Sequence, residues 1–311
     1  MTTTTTRHVI AMLVACTTLA GCQPKFDDEK QSLLEKPELL ALVVEPPEAA
    51  PGETVRLSFL FADAAGVVAD PRAFWLPGGL PIPADLEALA TQFSVTQADL
   101  LASSVTLTLP PERDYAYNEE GRATLTVALL VARGQDAPFF PADAEEALED
   151  GRARPAVRTL VVSKNDVRNQ NPAIQSVTLR RADGTEVALS LVTSADADPV
   201  AGRAALAASA PTLASEEEVT LVVGAEDDGP EVMLRPQWIA TGGDFQNRRM
   251  MEQPWTAPTW EDPAATPTRP GTSDPNLHSV WLVLRDNGDA TSLGQAWAET
   301  AVRVAAPVET P

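Results

Sequence analysis

Apolar and polar residues alternate with a period of two through much of this chain, the pattern of β-strands that bury one face. Leu40-Ala41-Leu42-Val43-Val44 opens the series, a Pro- and Gly-rich turn follows at 46–52, and Thr54-Val55-Arg56-Leu57-Ser58-Phe59-Leu60-Phe61 resumes it. Further strands are predicted at 105–109, 123–132 and 157–162, and then at 174–179, 186–189, 219–223, 232–239, 279–284 and 298–304. Helical spacing interrupts the alternation at 84–93 with 97–102, and again at 143–149. Many short strands separated by turn residues predict an all-β, sandwich-type chain with small helical insertions in its first half.

The segment Asn165-Asp166-Val167-Arg168-Asn169-Gln170-Asn171-Pro172 has no apolar period and is rich in turn formers. It is read as a linker, 165–172, between a first sandwich at 38–164 and a second at 173–306, with 307–311 as a tail. The halves align: Glu53 to Asp63 matches Glu217 to Asp227, and about a dozen residues later each half carries a tryptophan, Trp75 and Trp238. A duplicated strand-turn-strand unit is the simplest cause.

On these residues a resemblance appears. Leu234-Arg235-Pro236-Gln237-Trp238, the stretch Trp255-Thr256-Ala257-Pro258, and Val280-Trp281-Leu282-Val283-Leu284-Arg285-Asp286-Asn287-Gly288 resemble bacterial immunoglobulin-like and PKD-type domains. That resemblance implies two tandem immunoglobulin-like β-sandwiches, with Trp75, Trp238 and Trp281 as core or half-buried strand residues.

The N-terminus carries a different signal. A single Arg7 precedes an apolar stretch at 9–20, too short for a bilayer that needs about 20 apolar residues. It ends in Leu19-Ala20-Gly21-Cys22, which resembles the lipobox of bacterial lipoproteins. The resemblance implies a signal peptide at 1–21, recognised by its peptidase through Leu19, Ala20 and Gly21, and acylation of the Cys22 thiol. Palmitate and related chains would then anchor the protein in the membrane, and several chains hold far more firmly than one. Gln23 stands where Asp would imply inner-membrane retention, so the expected location is the outer membrane, in either leaflet. The polar segment 22–37 reads as the lipidated tether.

Composition narrows the function classes. The formal net charge is −21 and basic residues are scattered, so nucleic acid, which is bound through clustered Lys and Arg, is not an expected partner. Maturation would remove Cys16 and His8, and acylation would consume Cys22. No thiol nucleophile, disulfide or multi-histidine metal site then remains, and no cofactor is expected. His278 is the one histidine left for a Ser-His-Asp set, with Ser273 and Asp274 nearby in sequence. No nucleophile elbow accompanies them, and His278 at the head of a strand reads as an edge residue.

Three further clusters have two uses each. Asp286 and Asp289 flank an Asn-Gly pair, which suits a type I′ hairpin turn as well as Ca²⁺ ligation; the hairpin is the simpler reading, and no metal site is assigned. The run 144–150 is acidic and suits a solvated helix face as well as a surface for a basic partner; the solvated face is the simpler reading. Trp255 and Trp260, in a Pro-rich loop at 253–260, form the candidate contact surface, since exposed indoles stack on sugars or anchor partner proteins. The expected protein is therefore a non-catalytic, lipid-anchored envelope protein that contacts an envelope protein or polysaccharide, with no assignment of oligomeric state. The alternative is a periplasmic solute-binding or hydrolytic lipoprotein.

Overall fold

A computed structural model describes residues 33–34, 36–68, 71–78, 86–133, 153–196, 199–227, 234–246, 249–263, 274–286 and 294–307. The lipobox residues Leu19, Ala20, Gly21 and Cys22, the predicted helix at 143–149, Ser273 and Asp289 lie outside them. By internal contacts these residues form two units, the first from 44–59 and 70–168, the second from 29–43, 60–69 and 169–311. The chain thus enters the second unit before completing the first, whereas the alternation pattern suggested one sandwich after the other along the sequence.

The first half of the chain forms β1 (Glu38–Glu45), β2 (Glu48–Ala49), β3 (Thr54–Asp63), β4 (Gly66–Val67) and β5 (Pro71–Pro77). Helix α1 (Leu86–Gln92) and a 3₁₀ turn at Asp99–Leu101 occupy the first predicted helical stretch, before β6 (Ser104–Thr108), β7 (Arg122–Arg133) and β8 (Ala153–Ser163). In the first unit, β3 pairs antiparallel with β6 from Thr54↔Thr108 to Ser58↔Ser104. The facing sheet runs β2-β8-β7-β5, with β2 parallel to β8. This is the immunoglobulin arrangement, in which strands B and E face C, F and G.

The second unit repeats it. Its strands are β9 (Ala173–Arg181), β10 (Glu186–Ala188), β11 (Val192–Thr193), β12 (Thr212–Leu213), β13 (Glu218–Glu226) and β14 (Arg235–Ala240). After them come β15 (Asp244–Phe245), β16 (Glu252–Thr256), β17 (Leu277–Arg285) and β18 (Gln295–Val304). One sheet runs β10-β9-β13-β16-β15 and the other β11-β18-β17-β14, with the short β12 parallel to β18 as β2 is to β8. Between the sheets lie Leu179, Leu221, Trp238, Trp255, Leu282 and Val302, the interior faces of alternating strands.

The equivalence of the units extends to hydrogen bonds. Trp75 Nε1 donates to Ala102 O at 2.9 Å and Trp238 Nε1 to Met250 O at 3.0 Å, each acceptor two residues ahead of the next strand of the opposite sheet. Glu53 N donates to Ala50 O while Ala50 N donates to Glu53 Oε2; Glu217 and Ala214 make the same pair of bonds. The expected all-β, sandwich-type fold is observed, and the aligned segments occupy β3 and β13.

The β14-β17-β18 sheet is covered on its second face as well. Leu34, Leu40, Val43, Leu60 and Ala62 pack there against Ile239, Trp281, Val283 and Trp297. They are joined by Leu206 of α2 (Pro199–Ser209), an Ala-rich helix that the strand pattern did not reveal. Leu34, placed in the tether on sequence, belongs to this layer, and the exposed Leu33 beside it makes a parallel bridge to Ala240. Leu34 is 5% exposed and its N–H donates to Ala240 O at 3.1 Å. As an apolar residue in a polar segment, Leu34 gains more from burial than from solvent. Among the described residues no helix is long and apolar enough to cross a membrane.

Candidate functional site

Trp255 and Trp260, expected as a pair of exposed indoles, are not presented as one. Residues 252–256 form β16, hydrogen-bonded to β13 and, over two residues, to β15. Pro254 is tolerated because its carbonyl accepts from Gln246 N, which puts the side lacking an N–H on the outer flank of the strand, beyond the pairing of β15. Strand alternation then turns Trp255 inward. It is 1% exposed and packs on Phe245 with ring centroids 6.1 Å apart. Trp260 is half-buried against the same core, its backbone N donating to Ser215 Oγ. Trp75, Trp238 and Trp281 are fully buried.

The Ser-His-Asp set does not assemble among the described residues. His278 is not an edge residue: it lies in β17, which is flanked by β14 and β18, and is 1% exposed. Asp274 is engaged elsewhere, accepting from Arg303 Nε at 3.0 Å and from Asn276 N at 2.9 Å. Asp286, weighed for Ca²⁺, is buried and accepts from Asn169 Nδ2 at 2.7 Å and Gly294 N at 3.2 Å. Asp286 N donates to Gly294 O across the β17–β18 connection, and Asn287-Gly288, read there as a hairpin turn, lie outside the described residues. Together with Asn171 Oδ1, which accepts from Gln295 N, these bonds pin residues 169–171, read as linker, to that connection. No group of three His, Cys, Asp or Glu placed to hold a metal occurs among the described residues.

The second unit instead carries an open cleft of about 710 Å³ at one end of its sandwich. One wall is the turn Thr241-Gly242-Gly243-Asp244 leading from β14 into β15; another is Thr256 to Thr259 at the end of β16; Glu216, Leu33, Leu34 and Ala64 complete it. Each part has a local cause. Gly243 has φ +83°, and a Cβ on Gly242 would stand 2.5 Å from His278 Nδ1, so a side chain fits at neither position. Thr241 Oγ1 accepts from Ser279 N, fastening the turn to β17. Ala257 N donates to Glu217 O, and Thr259 Oγ1 donates to Glu216 Oε1 at 3.2 Å, tying the two loops together.

Two features stand out at and behind the cleft wall. Glu216 holds φ +60°, a left-handed conformation that costs a non-Gly residue of order 1 kcal/mol or more. Behind the wall, Trp255 Nε1 is buried and has no hydrogen-bond partner among the described residues, although buried indole N–H groups usually find one. It faces Gly243, where a Cβ would lie 2.5 Å from it and would also meet Thr256 O. Sequence reasoning singled out Trp255 for the wrong face and passed over Glu216 and Asp244. The signal for Glu216 was present in the repeat, where it aligns with Gly52.

A second buried polar group sits on the covered face of the β14-β17-β18 sheet. Glu299 of β18 accepts from Arg203 Nε of α2 at 2.8 Å and from Ser279 Oγ at 3.2 Å, and is 3% exposed. Burial pushes its carboxyl above the usual range; Arg203, Ser279 and the Trp281 indole partly offset this. Its partners make it a structural anchor for α2.

No protein-family model and no curated protein sequence matches the chain. Among solved structures it is similar to the three N-terminal domains of the highly immunogenic outer capsid protein (Hoc) of bacteriophage RB49, at 9% identity and a TM-score of 0.21. That match covers 86% of this chain and 59% of the other, so the chain spans less than two thirds of that structure's length.

Proposed function

We propose that the chain is a non-catalytic cell-envelope protein, anchored in the outer membrane by lipid on Cys22, whose tandem immunoglobulin-like domains present a surface for contact with an envelope protein or polysaccharide. The observation that carries this reading is the repetition of one immunoglobulin-like topology downstream of Leu19-Ala20-Gly21-Cys22. The partners of three ionisable groups of the second unit also support it. The buried Glu299 and Asp286 and the half-buried Asp274 each have structural partners and so serve to hold loops and α2 in place. Function on such a fold resides in surface sites grafted onto it.

Replacement of Cys22→Ser tests the anchor. The variant is expected to move from the membrane fraction to the soluble fraction; continued sedimentation with membranes would overturn lipid anchoring. Crosslinked capture from native envelopes tests the contact role, with a specific protein or polysaccharide expected in the captured material and its absence counting against the role.

A further inference from the structure

One corner of the second unit carries positive charge that its own strands do not neutralise. Arg235 of β14 and Arg285 of β17 stand directly opposite each other in the register, a placement of like charges that weakens an antiparallel pair. Arg235 is exposed; Arg285 is half-buried, and its Nη1 donates to Gln237 Oε1 at 2.7 Å. Neither has a carboxylate partner among the described residues, in a chain of net charge −21. Burial lowers the Arg285 guanidinium to about 10, so it is still charged at neutral pH and gains from an anion beside it.

The same corner lies on an outer sheet edge, since β14 ends the order β11-β18-β17-β14. Thr241 N donates to Ser279 O, so by the unbroken register Arg235, Gln237 and Ile239 bond toward β17, and Pro236, Trp238 and Ala240 turn their backbone groups outward. That edge already receives the N-terminal segment at one end: Leu33 bridges Ala240 in parallel, and Leu34 N donates to Ala240 O. Carried back along β14, this register sets Ser32 beside Ile239, Lys30 beside Gln237 and Asp28 beside Arg235. Alternate residues share a face, so Asp28 falls on the face of Arg235 and Arg285, as Leu34 falls on that of Ile239. In this register Trp238 N would donate to Lys30 O, Ser32 N to Trp238 O and Lys30 N to Pro236 O. Pro236 has no N–H to give, so the ladder would stop at the arginines. Asp27 and Glu29 reach them only by a one-residue slip, which the Leu33 bridge and the burial of Leu34 oppose.

We propose that residues 28–32, which lie outside the described residues, dock along β14 as a parallel edge strand and set the Asp28 carboxylate against Arg235 and Arg285. The docking does not depend on the anchor proposed above. With that anchor, it shortens the extended reach from Cys22 to the second unit from about 35 Å, at Leu33, to about 20 Å, at Asp28.

The test uses the full chain with Cys16→Ser and Cys22→Ser, which leaves no other thiol. Lys30→Cys with Gln237→Cys joins aligned residues about 4.8 Å apart, within the span of a disulfide, and keeps Asp28 and both arginines. Under copper-phenanthroline oxidation this pair is expected to form its intramolecular bond about tenfold faster than Glu29→Cys or Gln31→Cys with Gln237→Cys, whose tether side chains face the other way. Adding Asp28→Asn should slow it about threefold, the scale of a solvent-accessible ion pair. Equal rates in the three pairs would overturn the docking, and bonds formed between two chains would give the edge to a second copy instead. Hydrogen exchange at the Trp238 backbone amide reads the same contact without introduced cysteines. Asp28→Asn should speed that exchange about threefold, and exchange unchanged by the substitution would overturn the proposal.

Discussion

The two units place very different residues at one equivalent position. Register matches Leu76↔Ala128↔Val157 across β5, β7 and β8 with Ile239↔Trp281↔Glu299 across β14, β17 and β18. Val157 is 50% exposed, yet Glu299 is 3% exposed. A hydrophobic residue faces water in the first unit and a carboxylate is buried in the second, the reverse of what side-chain chemistry alone would assign. The difference comes from the second unit's outer layer, where β1, β3 and α2 contribute Leu40, Val43, Leu60 and Leu206. An immunoglobulin-like sheet normally buries one face; where remote chain segments cover the other, its strands become apolar on both sides. Trp281 fills the added layer where the first unit has Ala128.

The largest expected effect tests that layer. Trp281→Ala should lower stability by about 3–5 kcal/mol in urea unfolding, the usual cost of emptying a large aromatic site in a packed core. A loss below about 1 kcal/mol would mean that the outer layer packs loosely and that the second unit behaves like the first.

Glu299 offers a test of intermediate size, and pH gives it direction. Its carboxyl binds its proton more tightly in the folded chain than the ordinary value of 4.5 for the unfolded one. Between those two values the native state holds more protons, so this group's contribution to stability falls as pH rises. The stability advantage of the wild-type chain over Glu299→Gln should therefore be greatest near pH 4 and shrink toward pH 7. An advantage that instead grows with pH would show that Arg203 outweighs desolvation.

Legibility from sequence followed the same division. Strands with one buried face announce themselves: β3 and β13 alternate, and their alignment found the duplicated unit. The outer layer left a weaker trace, because nothing within Val280-Trp281-Leu282-Val283-Leu284 tells which remote segment covers its second face. Leu33 and Leu34 read as tether for the same reason, since a dipeptide has no period. Trp255 was misplaced because Pro254 and Pro258 look like loop residues, although a proline whose missing N–H lies on the outer flank does not interrupt a strand. The bonds of Asp286 to Gly294 and Asn169 join residues far apart in sequence and were likewise not legible in it. The cleft was unreadable in advance, being made of backbone groups and glycines brought together by pairing.

The smallest expected effect bears most directly on what the second unit does differently. The turn before β3 and the turn before β13 share their hydrogen bonds, and each needs positive φ at its third residue: Gly52 at +80° and Glu216 at +60°. A Cβ on Gly52 would meet nothing within 4 Å, so Gly52→Ala isolates backbone strain and should cost about 1 kcal/mol. Glu216→Gly makes the second turn like the first and should gain about 0.5–1 kcal/mol, since relief of strain outweighs the added freedom of the unfolded chain. The Thr259 hydroxyl loses one exposed partner and can turn to water, so little is given back. Calorimetry of both variants checks the opposed signs. Equal destabilisation by both would mean that the Glu216 side chain holds the turn together, making its conformation a structural requirement. A gain in Glu216→Gly would mean that the second unit keeps a less stable turn than its own duplicate shows to be available, and the carboxylate at the cleft wall is then what that lost stability preserves.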